Sequence, residues 1–270
     1  MDKRIEAEAD MTNLLVDTAM MAAVIILENG GETFRAEETA VRICRAAGKS
    51  ETEVLAFPTG IFITVEGDDG KKVSSVVRIK NRTINLFRVE RANSFARSYD
   101  NGNLALGELK EKLEALKSSV ITKKFFIALA AGVSSAMFTL LFEPVLGLSV
   151  IFDVAVTFFC TFLMEYLCIA SKLKNAYQFT VTFIGSALIA LIAVVFTGIF
   201  GIGNLSCIII GAITPLLPGI SLTNAIRDTV MGDIMSGAAR IAETLLIAVA
   251  IAGGVGIVLA GYVNITGALL

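Results

Sequence analysis

The 270-residue chain contains no histidine. That absence removes Ser-His and Cys-His nucleophile schemes, histidine-ligated metal sites and histidine proton relays. Cysteine is scarce. Cys44, Cys160, Cys168 and Cys207 form no CxxC pair, and three of them lie in apolar segments, where a free cysteine behaves as a small core hydrophobe. Neither a disulfide framework nor a zinc centre is expected, and no cofactor is implied. Charge is nearly missing from more than half of the chain. Residues 1–124 hold 38 of the 48 charged side chains, and residues 125–270 hold only ten. The net charge is −2 and there is no basic tail, so nothing points to a nucleic-acid partner.

What is abundant is apolar surface. Hydrophobic residues make up 55% of the chain, and mean hydropathy is +0.74. The charge asymmetry divides the chain near Lys123-Lys124 into a polar domain, 1–122, and a helical transmembrane domain, 123–270. Residues 14–27 are mostly apolar. Four acids in the first ten residues, Asp17 inside the run and no small-residue cleavage site make them a domain helix rather than a signal peptide.

The polar domain reads as a small α+β fold in the order ααβββαα. Helices are expected over 11–29, 32–47, 86–99 and 104–118, and strands over 53–57, 60–66 and 73–79. Gly30-Gly31 and Gly48 stop the first two helices, Pro58-Thr59-Gly60 turns between strands, and Asp68-Asp69-Gly70 makes a second turn. Glu32, Arg35, Glu37 and Glu38 read as a solvated, salt-bridged helix face. Thr59 and Ser94 are available nucleophiles, but no histidine can activate them, and the chain is not expected to be an enzyme.

Five membrane spans fit the ~20 residues that a bilayer crossing needs. They cover about 125–142, 145–170, 179–200, 205–217 and 241–263, with Glu143-Pro144 closing the first. Lys110, Lys112, Lys117, Lys123 and Lys124 precede the first span, Lys172 and Lys174 follow the second, and Arg227 and Arg240 follow the fourth. The alternate loops, around 143–147 and 201–204, carry no Lys or Arg. The positive-inside rule therefore predicts a cytoplasmic N-terminal domain and an external C-terminus in the plasma membrane.

Three patterns within the membrane part carry candidate chemistry. The fourth span breaks at Thr214-Pro215-Leu216-Leu217-Pro218-Gly219, which frees backbone groups from helical pairing. Broken helices beside charges are the usual pointer to a transporter's site. Orientation puts this break at the cytoplasmic end of its span, as an inner gate or substrate entrance. The second span carries Ser149, Asp153, Thr157, Thr161 and Glu165 at steps of four, a slowly winding polar stripe with two intramembrane acids. Glu165 also reads as snorkelling to the interface. The fifth span repeats small residues at Ala248, Ala252, Gly256 and Ala260, a face for close helix packing within the chain or between subunits.

Residues 221–243 read as amphipathic and weakly helical, with Ile226, Val230, Ile234, Ala238 and Ile241 on one stripe. Arg240 is expected to pair with Glu243 or Asp233. The stretch is either an interfacial connector or a re-entrant element lining a pathway. In the second case Arg227 or Arg240, with Thr214, Ser221 and Asn224, would bind a substrate carboxylate. Asp153, Glu165, Asp228 or Asp233 would then carry a coupling proton.

Two regions resemble the threonine/serine exporter family, in particular the five-span subunit of its split form. One is the run from Gly31 through Glu32, Thr33, Arg35 and Glu37 to Thr39, followed by Phe57-Pro58-Thr59-Gly60-Ile61-Phe62. The other runs from Pro215 through Pro218-Gly219, Asn224 and Arg227-Asp228 to Gly232-Asp233, Ser236-Gly237 and Arg240. The resemblance implies proton-driven export of small acids, whether threonine and serine or a dicarboxylate such as succinate. It also implies a second, shorter membrane subunit or self-assembly as partner. A regulatory or scaffolding subunit, and a membrane-anchored enzyme, are the competing functions.

Overall fold

A computed structural model describes residues 2–68, 70–119, 123–142, 147–170 and 178–267, with side chains from residue 10 onward apart from 124 and 170. Asp69, Glu143-Pro144, Lys172 and Lys174 lie outside the described residues. The chain separates into two compact units. One comprises Met1–Ser119 with Ile220–Ala242, and the other Val120–Gly219 with Glu243–Leu270. The connector 220–242 therefore packs with the N-terminal unit, although sequence reading grouped it with the membrane part.

The first unit begins with α1 (Asp2–Glu28) and α2 (Thr33–Ala46), followed by β1 (Thr52–Phe57), β2 (Gly60–Glu66) and β3 (Lys72–Arg78). The strands form an antiparallel sheet in the order β1-β2-β3. Two residues, Pro58 and Thr59, connect β1 to β2, with Phe57 paired to Gly60. Alternation along β2 buries Ile61, Ile63 and Val65 and turns Phe62 outward. Helices α3 (Leu86–Asp100) and α4 (Leu106–Ser118) complete the ααβββαα order.

α1 is long and apolar enough to cross a membrane over Asp10–Glu28, but 67% of that stretch is buried, against 28–39% for the other apolar helices. Its Leu15, Ala19, Ala22, Ile26 and neighbours join Ala40, Ile43, Ile61, Ile63, Leu109 and Leu113 in one core. α1 thus packs in the core of the first unit. α2 ends in a Schellman motif. Gly48 adopts φ 83°, its N–H donates to Arg45 O, and the Lys49 N–H donates to Cys44 O.

The second unit holds α5 (Lys124–Phe142), α6 (Leu148–Ala170), α7 (Gln178–Phe200), α8 (Leu205–Ile213) and a 3-10 turn (Thr214–Leu216). α9 (Gly219–Val230) belongs to the first unit, and α10 (Ile234–Thr266) begins in the first unit and continues in the second. Val156, Cys160, Met164, Ile189, Ala193, Ile208 and Ala212 make the core of the second unit. Large side chains such as Leu141, Ile151, Ile199 and Leu245 are exposed, as expected of helices whose solvent is lipid. About five helices of the chain, α1 included, have the length and apolarity of a span.

Two expected boundaries change. The fourth span, expected over 205–217, has only nine α-helical residues. At 1.5 Å per residue that is about 14 Å, too short to cross a bilayer alone. The fifth begins at Ile234 rather than near 241 and runs for 33 residues. The amphipathic stretch is accordingly not one helix. Gly232, at φ 101°, separates α9 from α10.

Candidate functional site

The two sequence regions that carry the family resemblance meet in one polar network inside the first unit. It starts at the double-glycine bend between α1 and α2. Gly30 has φ 86°, and a Cβ on Gly31 would collide with the Ile26 side chain and lie 2.9 Å from the Ile26 carbonyl oxygen. The bend brings the Gly30 and Gly31 carbonyls and the N-terminus of α2 to α9 and the first turns of α10. Asn224 Nδ2 donates to Gly30 O at 2.8 Å, and Arg240 Nη2 donates to Gly31 O at 3.1 Å.

Glu32 is the N-cap residue of α2, yet its side chain makes no capping bond. Asp228 takes that role instead. Its Oδ1 accepts from the Thr33 backbone N–H at 3.1 Å and its Oδ2 from the Thr33 hydroxyl at 2.9 Å. A carboxylate there also meets the positive end of the helix dipole. Oδ2 lies 3.0 Å from Arg240 Nε, with side-chain exposures of 0% for Asp228 and 5% for Arg240. Arg240 therefore pairs with Asp228, a partner that the sequence reading did not name.

Glu32 is free to receive two arginines. Arg35 Nε donates to Oε2 at 2.7 Å, and Arg227 Nη1 donates to Oε1. Burial opposes the Glu32 charge, but its own backbone N–H, Arg35 and Arg227 outweigh burial and hold the carboxyl below its ordinary pKa. The expected solvated face is thus divided. Glu38 is exposed and pairs with Arg42, while Glu32 is buried.

Beside the Asp228 ion pair sits a second acidic group. Glu37 Oε1 accepts from the Ala56 N–H at 2.7 Å. Burial first, then the charges of Asp233 and Asp228, raise its pKa against the pull of that N–H. Asp233 is raised by burial and by Asp228.

α9 and the start of α10 present their polar side inward. Asn224, Asp228, Ser236 and Arg240 are buried, whereas Ile226, Val230 and Ile234 are 55%, 77% and 67% exposed. The apolar stripe read from the sequence is real, but it faces away from the unit because the buried polar groups have partners there. Gly237 permits the close approach of α10 to α9: a Cβ would strike Thr229 Oγ1 and sit 2.9 Å from Ala225 O.

The polar stripe of α6 has a different destination. Both Asp153 oxygens accept from the Asn204 N–H at 3.0 Å, at the start of α8. Thr157 Oγ1 donates to Ile208 O at 3.5 Å, and Thr161 Oγ1 donates to Ala212 O at 3.2 Å. Each pair is 51 residues apart, so α6 and α8 run parallel in fixed register, joined every four residues. Thr161 thereby covers a carbonyl in the last turn of α8, and Thr214 Oγ1 covers another by donating to Ile210 O at 2.8 Å. Ser149 is exposed and outside this ladder. Glu165 is half-buried, with no hydrogen bond or ion pair among the described residues.

Pro215, Leu217 and Gly219 are exposed, and Pro218 and Ser221 are half-buried. The side chain of Arg227 is 46% exposed. Among the described residues no cluster of three or more His, Cys, Asp or Glu side chains is arranged to hold a metal. What the sequence missed is the partnership itself. Glu32 and Thr33 stand 195 residues from Arg227 and Asp228, and no local spacing announces that contact. No curated protein and no solved structure matched the chain. The threonine/serine exporter family, ThrE, matches it over residues 17–262, which takes in both units and every residue of the network, and the chain belongs to that family.

Proposed function

We propose that the chain is a subunit of a secondary transporter that exports small amino or carboxylic acids, coupled to protons. The observation that carries this reading is the family match across both units. The multi-pass helices and the polar residues flanking the Thr214–Leu216 turn support it. Arg227, the partly exposed arginine, is the better carboxylate ligand, with Asn224 beside it. Arg240 is committed to Asp228 and acts as a structural counter-charge. Asp233 is the candidate proton carrier outside the spans, with Asp153 and Glu165 candidates inside them.

The positive-inside rule places the N-terminal unit in the cytoplasm. The grouping of 220–242 with that unit supports the same side for both. A second subunit or a second copy would cover the small-residue face of α10, where Ala248, Ala252, Gly256 and Ala260 are all exposed. Gly254 is occupied within the chain, against Ser186 and Phe183.

The test is counterflow in proteoliposomes carrying the chain alone or with a candidate partner. Labelled threonine, serine and succinate would be compared with and without an imposed pH gradient. Exchange of at least one acid that Arg227→Ala abolishes is the expected result. No exchange of any of them under either condition would defeat the export reading.

A further inference from the structure

The first unit contains a cleft that the polar network does not fill. Its volume is about 570 Å³, within the ~300–1,000 Å³ of small-molecule pockets. One wall is α3. Glu90, Ser94, Arg97 and Asn101 follow one another at helical spacing and all border the space. The facing wall is the N-terminus of α2, with Glu32 and Arg35, and the start of α9 contributes Asn224.

The lining is charge-balanced, with Arg35 and Arg97 against Glu32 and Glu90. Glu32 is already engaged by Arg35 and Arg227. Glu90 and Arg97 have no side-chain hydrogen bond or ion pair among the described residues, and both are exposed to the cleft and solvent. They stand two turns apart on the same helix face, about 10 Å along the axis. One wall therefore offers an unused anion and an unused cation, facing an arginine whose Nε alone is committed. No aromatic side chain lines the space, which removes a stacking platform for a base or a sugar ring. Leu86, Val89 and Ile220 supply a modest apolar floor.

We propose that this cleft binds a small zwitterionic amino acid, its carboxylate held between Arg35 and Arg97 and its ammonium by Glu90. Paired opposite charges select a molecule that carries both and disfavour a dianion, which would bring a second carboxylate to Glu90. The space exceeds one small amino acid, and ordered water shares it. The choice of ligand rests on the export reading, but equilibrium binding tests the cleft whereas flux tests transport, so the two can fail separately.

The experiment is isothermal titration of the full chain in nanodiscs with threonine, serine, N-acetylthreonine, threonine amide and succinate. Saturable binding of threonine or serine at one site per chain is expected. Blocking either charged end should weaken it by about tenfold or more, the scale of one lost charged hydrogen bond. Arg97→Ala and Glu90→Gln, at positions without partners to lose, should each produce a comparable loss while thermal melting is unchanged. Threonine binding that neither substitution alters would overturn the assignment, as would succinate binding as tightly as threonine, or no saturable binding of either amino acid.

Discussion

Asp228 caps the helix that begins at Thr33, taking both the backbone N–H and the hydroxyl of that residue from 195 positions away. Helix N-termini leave backbone N–H groups without intrahelical acceptors, and here a remote carboxylate supplies one. Because the same carboxylate neutralises Arg240, the start of α2 and the hairpin of α9 and α10 depend on a single side chain.

Removing Asp228 should destabilise the first unit sharply. Asp228→Ala removes the buried carboxylate that faces Arg240, a change on the order of 3–5 kcal/mol. Cys44 is a native reporter. It is buried in the core of this unit, and burial pushes its thiol up to about 11. With Cys160, Cys168 and Cys207 replaced by alanine, the temperature at which a maleimide labels Cys44 should fall strongly in Asp228→Ala. The double variant Asp228→Ala/Arg240→Ala should lose less than the sum of its singles. Additive losses would contradict the pairing.

The acidic pair beside this contact should make stability depend on pH. Glu37 and Asp233 have raised pKa values in the folded unit. Their contribution is present below the unfolded carboxyl pKa and is lost as pH rises through the folded one. Asp233→Asn should therefore raise the Cys44 labelling temperature at neutral pH, with the gain vanishing toward acid. Glu32 is lowered, so its contribution is present at neutral pH and is lost as pH falls through its folded value. A gain for Asp233→Asn that grows on acidification would contradict this assignment.

The bend at Gly31 has no room for a methyl group. Gly31→Ala would push against Ile26 and displace the residues that meet Asp228 and Arg240. Overpacking of this kind costs about 1–3 kcal/mol. Gly48→Ala, in open space but at φ 83°, should be milder. Melting curves of the two variants give the comparison, and an equal or reversed order would show that the bend is not tightly packed.

In the second unit, Asp153 serves as an acceptor at the head of α8. Asp153→Asn keeps one oxygen for the Asn204 N–H and should retain fold and assembly. Asp153→Ala should lose about 1–2 kcal/mol, the scale of a helix cap. If Asp153 also carries a coupling proton, Asp153→Asn should retain exchange yet lose its response to a pH gradient. Wild-type gradient dependence in that variant would limit Asp153 to a structural role.

Much of the architecture could be read from the sequence because it is set by local chemistry. The alternation of Ile61, Ile63 and Val65, the stops at Gly30 and Gly48, and the fall in charge after Lys124 each act over a few residues. The site was legible as a set of residues but not as an arrangement. Asp228, Arg227, Arg240 and Asn224 stood out as polar groups near a break. Their partners at Gly30, Gly31, Glu32 and Thr33 could not be inferred, because helix spacing says which residues share a face but not what that face meets. The same limit explains the inverted hairpin. An amphipathic pattern gives two sides, and here the polar side is buried because acceptors and counter-charges await it.

The ladder between α6 and α8 has a mechanical consequence. Its three rungs repeat every four residues, so a slide of α8 by one turn would bring new carbonyls opposite Thr157 and Thr161 and restore their bonds. Asp153 has no such second choice in the direction that replaces Asn204 by Ile208, whose N–H is already committed to Asn204 O. The array is therefore a register lock with a stop at one end: matching rungs recur only every four residues, about 6 Å along the axis, and only the acidic rung tells one register from the next.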